Sequence, residues 1–572
     1  MKLDDNKRDR EKYPWWKRGV FYQIYPRSYK DSNGDGVGDL PGIESVLGYL
    51  NNGTEKSLGI DAIWFSPFFT SPDRDYGYDV SDYCAIDPRY GTLDDFKALL
   101  KSAHERNIRV LLDLVVNHSS DQHPWFVESR SSRNNPRRDW YIWKDGRQPG
   151  NKPPNNWRNH FFGSAWTWDE KTEQYYLHSF LKEQPDLNWH NSQVREAIAD
   201  VIKYWLDLGV DGFRLDVPHV YCKDKQFRNN PPFYSLNRNI DFSLFKDRSF
   251  MSNLLKLLAL PELQFKKYNQ HQSETHSVLR GFRKVLDSYQ DKVSVGEIIA
   301  DSLPVIVSYY GRENDQLHMN FYFELLHCRW KAHAFRRCIQ RWENALPEEA
   351  WPVYTFSNHD VNRAFSRYDQ RGRGDKRARM LALMLLTLRG TPFIYYGEEI
   401  GMKEGLIQRE QLKDPLGIKW YPFHRGRDGC RTPMQWDEGI FAGFSSHQPW
   451  LPLSPEHEIR NVRVQDEQSE SLLNFFRQLI WLRKKLPLIV EGDYQTYKGR
   501  LPSGCYIYLR QQGDKKIAVA LNFGKRKKKL EQLFNAGSVK LLISTCPTRE
   551  PGVIAFPFTL KGEEGCLLEL SP

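Results

Sequence analysis

What most restricts the fold of this chain is an alternation repeated eight times, in which a short apolar run is followed by a helical pattern or a polar loop. The runs are residues 20–29, 60–67, 109–118, 210–217, 292–298, 318–324, 353–360 and 391–399. Runs this short and this apolar read as strands buried on both faces, the signature of a parallel sheet. Between the second and third runs, Phe96, Leu99, Leu100 and Ala103 recur at helical spacing behind a Thr92/Asp95 cap signal, which completes a βαβ unit. Val194, Ala197, Ile198, Val201, Trp205 and Leu208 form a second helical stripe that runs straight into the fourth strand. Eight such strands predict an α/β protein built on a closed (β/α)8 barrel. An open doubly wound sheet would carry a Gly-rich phosphate turn after an early strand, and no GxGxxG occurs.

Two stretches break the pattern. Residues 119–187, rich in Trp, Asn, Arg and Pro, interrupt it after the third strand and read as an inserted subdomain. Beyond about residue 490 short alternating strands (506–509, 517–523, 539–543, 553–558 and 567–570) are separated by Gly, Asp and Pro turns, which predicts a C-terminal antiparallel β-sandwich with a packing role. The expected organisation is therefore a first barrel part (1–118), the insertion (119–187), a second barrel part (188–489) and a sandwich (490–572).

Composition removes several classes of function. With 40% hydrophobic and 27% charged residues the chain can bury a large core, and 82 Lys and Arg against 72 Asp and Glu are interleaved along its length, the mark of a mixed solvated surface and not of a nucleic-acid footprint. The one dense basic run, 525–529, reads as a solvated turn. Eight cysteines without CxxC spacing argue against zinc and for a thiol-reduced protein. The first dozen residues carry nine charges and no apolar signal core, and the longest uncharged apolar run, 380–388, is far short of the ~20 residues a membrane span needs. The expectation is a cytoplasmic monomer or small homo-oligomer with no membrane or nucleic-acid partner. Its 18 Trp, 29 Tyr and 32 Phe, many in polar loops, suit ring faces for a sugar.

In a barrel the C-terminal strand ends converge on one mouth, and the polar residues fall there: Asn117 and His118, Arg214 and Asp216, Glu297, His359 and Asp360. Three carboxylates brought together repel unless a cation balances them, and Arg214 shares a strand face with Asp216 by the period-two rule. Cleaving a glycosidic bond needs an ionised carboxylate as nucleophile beside a protonated one as acid, roles that suit Asp216 and Glu297. Near the N-terminus, DSNGDGVGD (31–39) sets oxygen ligands at alternate positions around permissive glycines: Asp31, Asn33, Asp35, the Val37 carbonyl and Asp39. A hard cation suits such a loop, although Gly42 stands where an EF-hand would need its bidentate Glu.

The stretches LDLVVNH (112–118), GFRLDV (212–217), VGEI (295–298) and SNHD (357–360) resemble, in order, the four conserved regions of the α-amylase superfamily of glycoside hydrolases. YQIYPRSYKDSNGDGVGDLPGI, GYDVSDY (77–83) and RDGCRTPMQW (427–436) are similar to its α-glucosidase and oligo-1,6-glucosidase branch, and the likeness covers nearly the whole chain. The resemblance implies that Asp216 is the nucleophile, Glu297 the general acid/base and Asp360 the stabiliser of an oxocarbenium-like transition state. It implies that Arg214 orients the nucleophile, that His118 and His359 hydrogen-bond the sugar and Tyr78 stacks on it, and that Asp75 and Arg431 grip the terminal glucose. It also implies a structural calcium ion in the 31–39 loop and no organic cofactor.

The expected activity is a retaining exo-α-glucosidase acting on short α-glucosides such as maltose or isomaltose. Val217, directly after the nucleophile, resembles the choice of α-1,6-active relatives, while 216–232 resembles members named simply α-glucosidase. The alternatives are a transglucosylase or trehalose synthase-like isomerase using the same nucleophile, a strict oligo-1,6-glucosidase, and an inactive binding partner. The last is disfavoured because every acid of the constellation is present.

Overall fold

A computed structural model describes residues 13–149, 151–161, 163–231, 264, 266–531 and 538–570. The first twelve residues and Pro232, both used in the sequence reading, lie outside the described residues.

All eight expected strands form and close a parallel barrel: β1 (Phe21–Ile24), β2 (Ala62–Phe65), β3 (Arg109–Leu114), β4 (Gly212–Leu215), β5 (Val293–Gly296), β6 (Met319–Phe321), β7 (Trp351–Thr355) and β8 (Thr391–Tyr395). Each pairs with its neighbours in chain order, and β1 closes on β8 with Phe21 opposite Phe393. The strands are shorter than their apolar runs. At β1 the reason is Pro26, which has no N–H for the ladder and opens a 3-10 turn, Pro26–Ser28.

Helix α1 (Leu93–Glu105) begins with the expected cap: Thr92 accepts from the Asp95 backbone while Asp95 reaches back to the Thr92 N–H. Helix α2 (Ser192–Asp207) starts at Asn191, whose side chain accepts from Gln193 N. It buries Val194, Ile198, Val201, Ile202, Trp205 and Leu206 on one side. Trp205 stacks on Phe69 at 5.0 Å, meets Phe96 of α1 edge-on at 5.4 Å and donates from Nε1 to the Tyr83 carbonyl (2.8 Å), so its polar atom is satisfied inside the apolar layer.

The insertion leaves and re-enters the barrel at one place, because Leu187 N bonds Asn117 O (2.9 Å) and His118 bridges to Asp186. Its three-stranded sheet (Trp143–Lys144, Gln174–Leu177, Trp166–Asp169) covers a small core of Ile142, Trp157, Ala165, Trp166, Tyr175 and Leu177. Many of the aromatics in that stretch are thus core as well as wall.

At the C-terminus six strands form one antiparallel sheet: β9 (Asp493–Thr496), β10 (Cys505–Gln512), β11 (Lys515–Asn522), β12 (Ser538–Ser544), β13 (Gly552–Ala555) and β14 (Glu564–Leu570). Alternation divides its faces. Ile507, Leu509, Ala518 and Ala520 pack under the small two-stranded sheet that carries Leu530, Phe558 and Leu560, while Tyr506, Tyr508, Val519 and Leu521 join the apolar layer outside the barrel strands. Of the basic run, 525–527 lie in the exposed turn that follows β11, whereas Lys528 and Lys529 are not in the turn but open the short strand Lys528–Leu530. Among the described residues no helix is long and apolar enough to cross a membrane.

Candidate active site

The period-two rule builds the site from below. Phe21, Ala62, Trp64, Leu111, Val293, Val295, Met319, Phe321, Trp351, Val353 and Phe393 point inward and fill the barrel. Gly212 is required on β4, since a Cβ there would stand 2.1 Å from the Val293 carbonyl oxygen. Two residues further along each strand the inward side becomes polar: Gln23 on β1, Asp113 on β3, Arg214 on β4 and Glu297 just past β5. These side chains stand on a buried apolar floor, which limits their movement.

Arg214, only 2% exposed, joins three carboxylates. Its Nη1 donates to Asp113 Oδ1 (2.7 Å) and Asp216 Oδ1 (2.6 Å), and its Nη2 donates to Glu297 Oε2 (2.5 Å). One guanidinium cannot neutralise three buried acids. Burial, only partly offset by Arg214, therefore raises the carboxyls of Asp216 and Glu297 well above the usual range and pushes Asp113 up to about 6. Asp360 goes the other way. Burial works against its ionised form, but His359, Arg427 (3.2 Å) and Arg431 (3.0 Å) outweigh burial and hold its carboxyl far below the usual range. Neighbouring acids are thus split into protonatable and permanently ionised members by environment alone.

Burial holds both histidines neutral, moving His118 down to about 4 and His359 to about 3. Gln23 Nε2 donates to His359 Nδ1 (2.7 Å), which leaves the proton on Nε2, where Asp360 Oδ2 (3.2 Å) and Tyr78 Oη (2.6 Å) lie. Tyr78 stacks on His359 with centroids 5.5 Å apart and donates to Asp113 Oδ2 (3.2 Å). His118 Nε2 lies 2.9 Å from the Tyr78 carbonyl oxygen.

The structure brings Asp216, Glu297, Asp360, Arg214, His359, His118, Tyr78 and Asp75 to one mouth, with a departure at the arginines. Arg431 is fully buried, donating from Nε to the His359 carbonyl (2.8 Å) and from Nη2 to Asp360. The guanidinium bonded to Asp75 is that of Arg427, whose Nη2 lies 2.8 Å from Asp75 Oδ1. Sequence reasoning had passed over Arg427, four residues before Arg431 in the same quoted motif. It had also passed over Asp113 and Gln23, which the two-residue alternation from Leu111 and from Phe21 would have found, and Gln184, which no local signal marks. Gln184 Nε2 donates to Asp75 Oδ2 (3.3 Å) and the Tyr78 carbonyl (3.2 Å). Val217 takes a left-handed backbone (φ 36°), a strained conformation for a β-branched residue, and directs its N–H toward Glu297 Oε2 (3.4 Å).

The 31–39 loop folds around its own oxygens. Asp31 accepts from Gly34 N (2.7 Å), Gly36 N (2.8 Å) and Ser445 Oγ (2.6 Å), Asn33 Oδ1 from Asp35 N (2.9 Å), and Asp35 Oδ1 from Val37 N (2.8 Å). Asp39 takes Gly42 N (2.6 Å) together with the Ser32 N–H and hydroxyl. Among the described residues no group of three or more His, Cys, Asp and Glu side chains converges as metal ligands would. The donor set is nonetheless all oxygen, and carboxylate oxygens that accept single hydrogen bonds keep further lone pairs, so a hard cation fits the chemistry of the loop.

The family described as "Alpha amylase, catalytic domain" matches residues 23–492. A probable alpha-glucosidase of Rhizobium meliloti (strain 1021) is 43% identical over 512 residues, covering 89% of each chain, and an oligo-1,6-glucosidase of Bacillus cereus is 37% identical over 545 residues, covering 89% of this chain and 91% of its own. Among solved structures, the alpha-glucosyl transfer enzyme XgtA superposes with a TM-score of 0.86 at 40% identity, over 97% of this chain and 99% of its own. A closed eight-stranded barrel, an acid constellation at its mouth and matches of this length agree: the chain belongs to the α-amylase family.

Proposed function

We propose that this protein is a retaining exo-α-glucosidase that removes terminal α-linked glucose from short oligosaccharides. The observation that carries the reading is Arg214 holding Asp216 and Glu297 on the two arms of one guanidinium. That bridge gathers both carboxyls on one guanidinium and so supports the retaining route, which uses a pair about 5–5.5 Å apart, over inversion, which uses about 6.5–9.5 Å to admit a water between them.

The hydrogen bonding assigns the oxygens. Asp216 Oδ1 is tied to Arg214, which leaves Oδ2 to attack the anomeric carbon as the glycosidic C–O bond breaks. Glu297 Oε2 is tied likewise, which leaves Oε1 to give its proton to the departing oxygen. Water then attacks the same carbon, Glu297 takes the proton back, and Asp216 leaves with the bonding pair. Asp360, ionised throughout, stabilises the oxocarbenium-like charge on either side of the intermediate, while Asp75 and Arg427 close the pocket on the terminal sugar. The 31–39 loop would hold a calcium ion through Asp31, Asn33, Asp35, Asp39 and the Val37 carbonyl, and the ion would serve stability. Eight unpaired thiols support a reducing, cytoplasmic setting.

Proton NMR of maltose and isomaltose turnover tests this reading. α-Glucose appearing before mutarotation is the expected outcome, and the faster substrate gives the linkage. Early β-glucose would exclude the covalent route. A second reading, transfer of the glucosyl group to a sugar acceptor, draws support from the likeness to XgtA. Signals of new disaccharides with little free glucose would favour it.

A further inference from the structure

The segment between β8 and Arg431 contains a carboxylate that no step above uses. Asp414 is fully buried. Its Oδ1 accepts from Arg427 Nη2 (2.8 Å) and Nε (3.2 Å), and its Oδ2 accepts from the Arg427 backbone N–H (2.7 Å). The same guanidinium turns its remaining N–H groups to Asp75 Oδ1 (2.8 Å) and Asp360 Oδ1 (3.2 Å). The seat behind it is tight. Asp428 Oδ2 accepts the N–H groups of Lys413 (2.7 Å) and Asp414 (2.9 Å), and a Cβ on Gly426 (φ +74°) would stand 2.6 Å from Asp414 Oδ2 and 2.9 Å from the Gly417 backbone.

Asp414 also begins the short helix Pro415–Trp420, whose Lys419 Nζ donates to the Phe161 carbonyl of the aromatic insertion (2.8 Å). The segment is thus anchored at the rim as well as behind the pocket. Burial disfavours the Asp414 carboxylate, but the charge of Arg427 more than offsets this and holds it ionised. A free arginine loses much rotamer entropy when it engages a ligand, and one already fixed from behind loses little.

We propose that Asp414 is a positioning residue for terminal-sugar recognition: by fixing Arg427 it sets the Asp75–Arg427–Asp360 span, and with it the pocket's affinity for the non-reducing glucose, without touching the sugar. This rests on the glucosidase reading. Asp414→Asn keeps the side-chain volume and one acceptor oxygen while removing the charge. The KM for maltose is expected to rise about 10- to 100-fold, the scale of one charge-assisted hydrogen bond, with kcat much less affected. The Kd of D-glucose measured by titration calorimetry should rise by the same factor, and the thermal midpoint should hold.

In an Arg427→Ala background the Asp414→Asn substitution should add nothing. Unchanged KM and Kd in Asp414→Asn, or a further full rise on top of Arg427→Ala, overturns the proposal. Should Asp414→Asn fail to fold, Arg427→Ala decides alone: if it leaves KM and the glucose Kd unchanged, no residue behind it can be setting affinity. A wild type that binds D-glucose but turns over no α-glucoside would sink the glucosidase reading and leave this proposal to the calorimetric arm.

Discussion

At the scale of single residues, this site separates chemically identical groups by surroundings. Asp216, Glu297 and Asp360 are all carboxyls at strand ends, yet the first two share one arginine with Asp113 and are raised by burial, while Asp360 faces Arg427 and Arg431 and stays ionised. Turnover needs Asp216 ionised and Glu297 protonated. Activity should therefore fall on the acid side as Asp216 gains a proton and on the alkaline side as Glu297 loses one. Because burial raises both groups, each limb of kcat/KM against pH should lie above the ordinary carboxylate range, and the limbs belong to the coupled pair. Glu297→Gln should lower kcat about 10²- to 10⁴-fold and abolish the alkaline limb, measured on an α-glucoside whose leaving group still needs a proton. An alkaline limb that survives in Glu297→Gln would assign the acid elsewhere.

At the scale of elements, the 31–39 loop tests whether a turn that satisfies its own oxygens also depends on an ion. Asp39 is both the last residue of the proposed ligand set and the N-cap of the helix Leu40–Ser45, with its Oδ1 accepting from Gly42 N. Calcium binding to the native loop and not to the unfolded chain would add stability that grows with the logarithm of ion concentration above the Kd. A chelator should lower the melting temperature by several degrees, and added calcium should restore it. An unchanged melting temperature would leave hydrogen bonds alone as the support of the loop.

At the scale of the whole molecule, the C-terminal sheet is joined to the barrel by buried cations as well as by apolar surface. Arg510 of β10, fully buried, donates to the carbonyl oxygens of Thr387, Ile489, Val490 and Gly492. Thr387 is the last residue of the helix Gly374–Thr387, and Arg483 bonds the Leu386 (3.0 Å) and Gly390 (2.7 Å) carbonyls beside it. Two positive charges thus sit at a helix C-terminus, where the backbone carbonyls lack intrahelical partners and the dipole is negative. Arg510→Met would fill the volume and leave those carbonyls buried without donors, at a cost on the order of 3 kcal/mol. The expected result is a lower unfolding midpoint in denaturant with kcat and KM unchanged at 25 °C. Loss of activity at an unchanged midpoint would contradict a purely packing role for the domain.

The amino-acid sequence by itself determined the barrel, because strand period, helix period and the Thr92/Asp95 cap are local properties that need no partner to be read. It also determined that Asp216, Glu297 and Asp360 meet, since closure of eight strands brings their C-terminal ends together whatever the loops do. The tertiary structure alone decided which charge serves which. Asp75 lies more than 300 residues from Arg427, and Gln23 as far from His359, so their pairing depends on how loops cross the mouth. That is also why Arg427 stands beside Asp75 where Arg431 was expected: two arginines four residues apart in one motif are equivalent in composition, and only packing put Arg431 under the His359 carbonyl and turned Arg427 to the pocket.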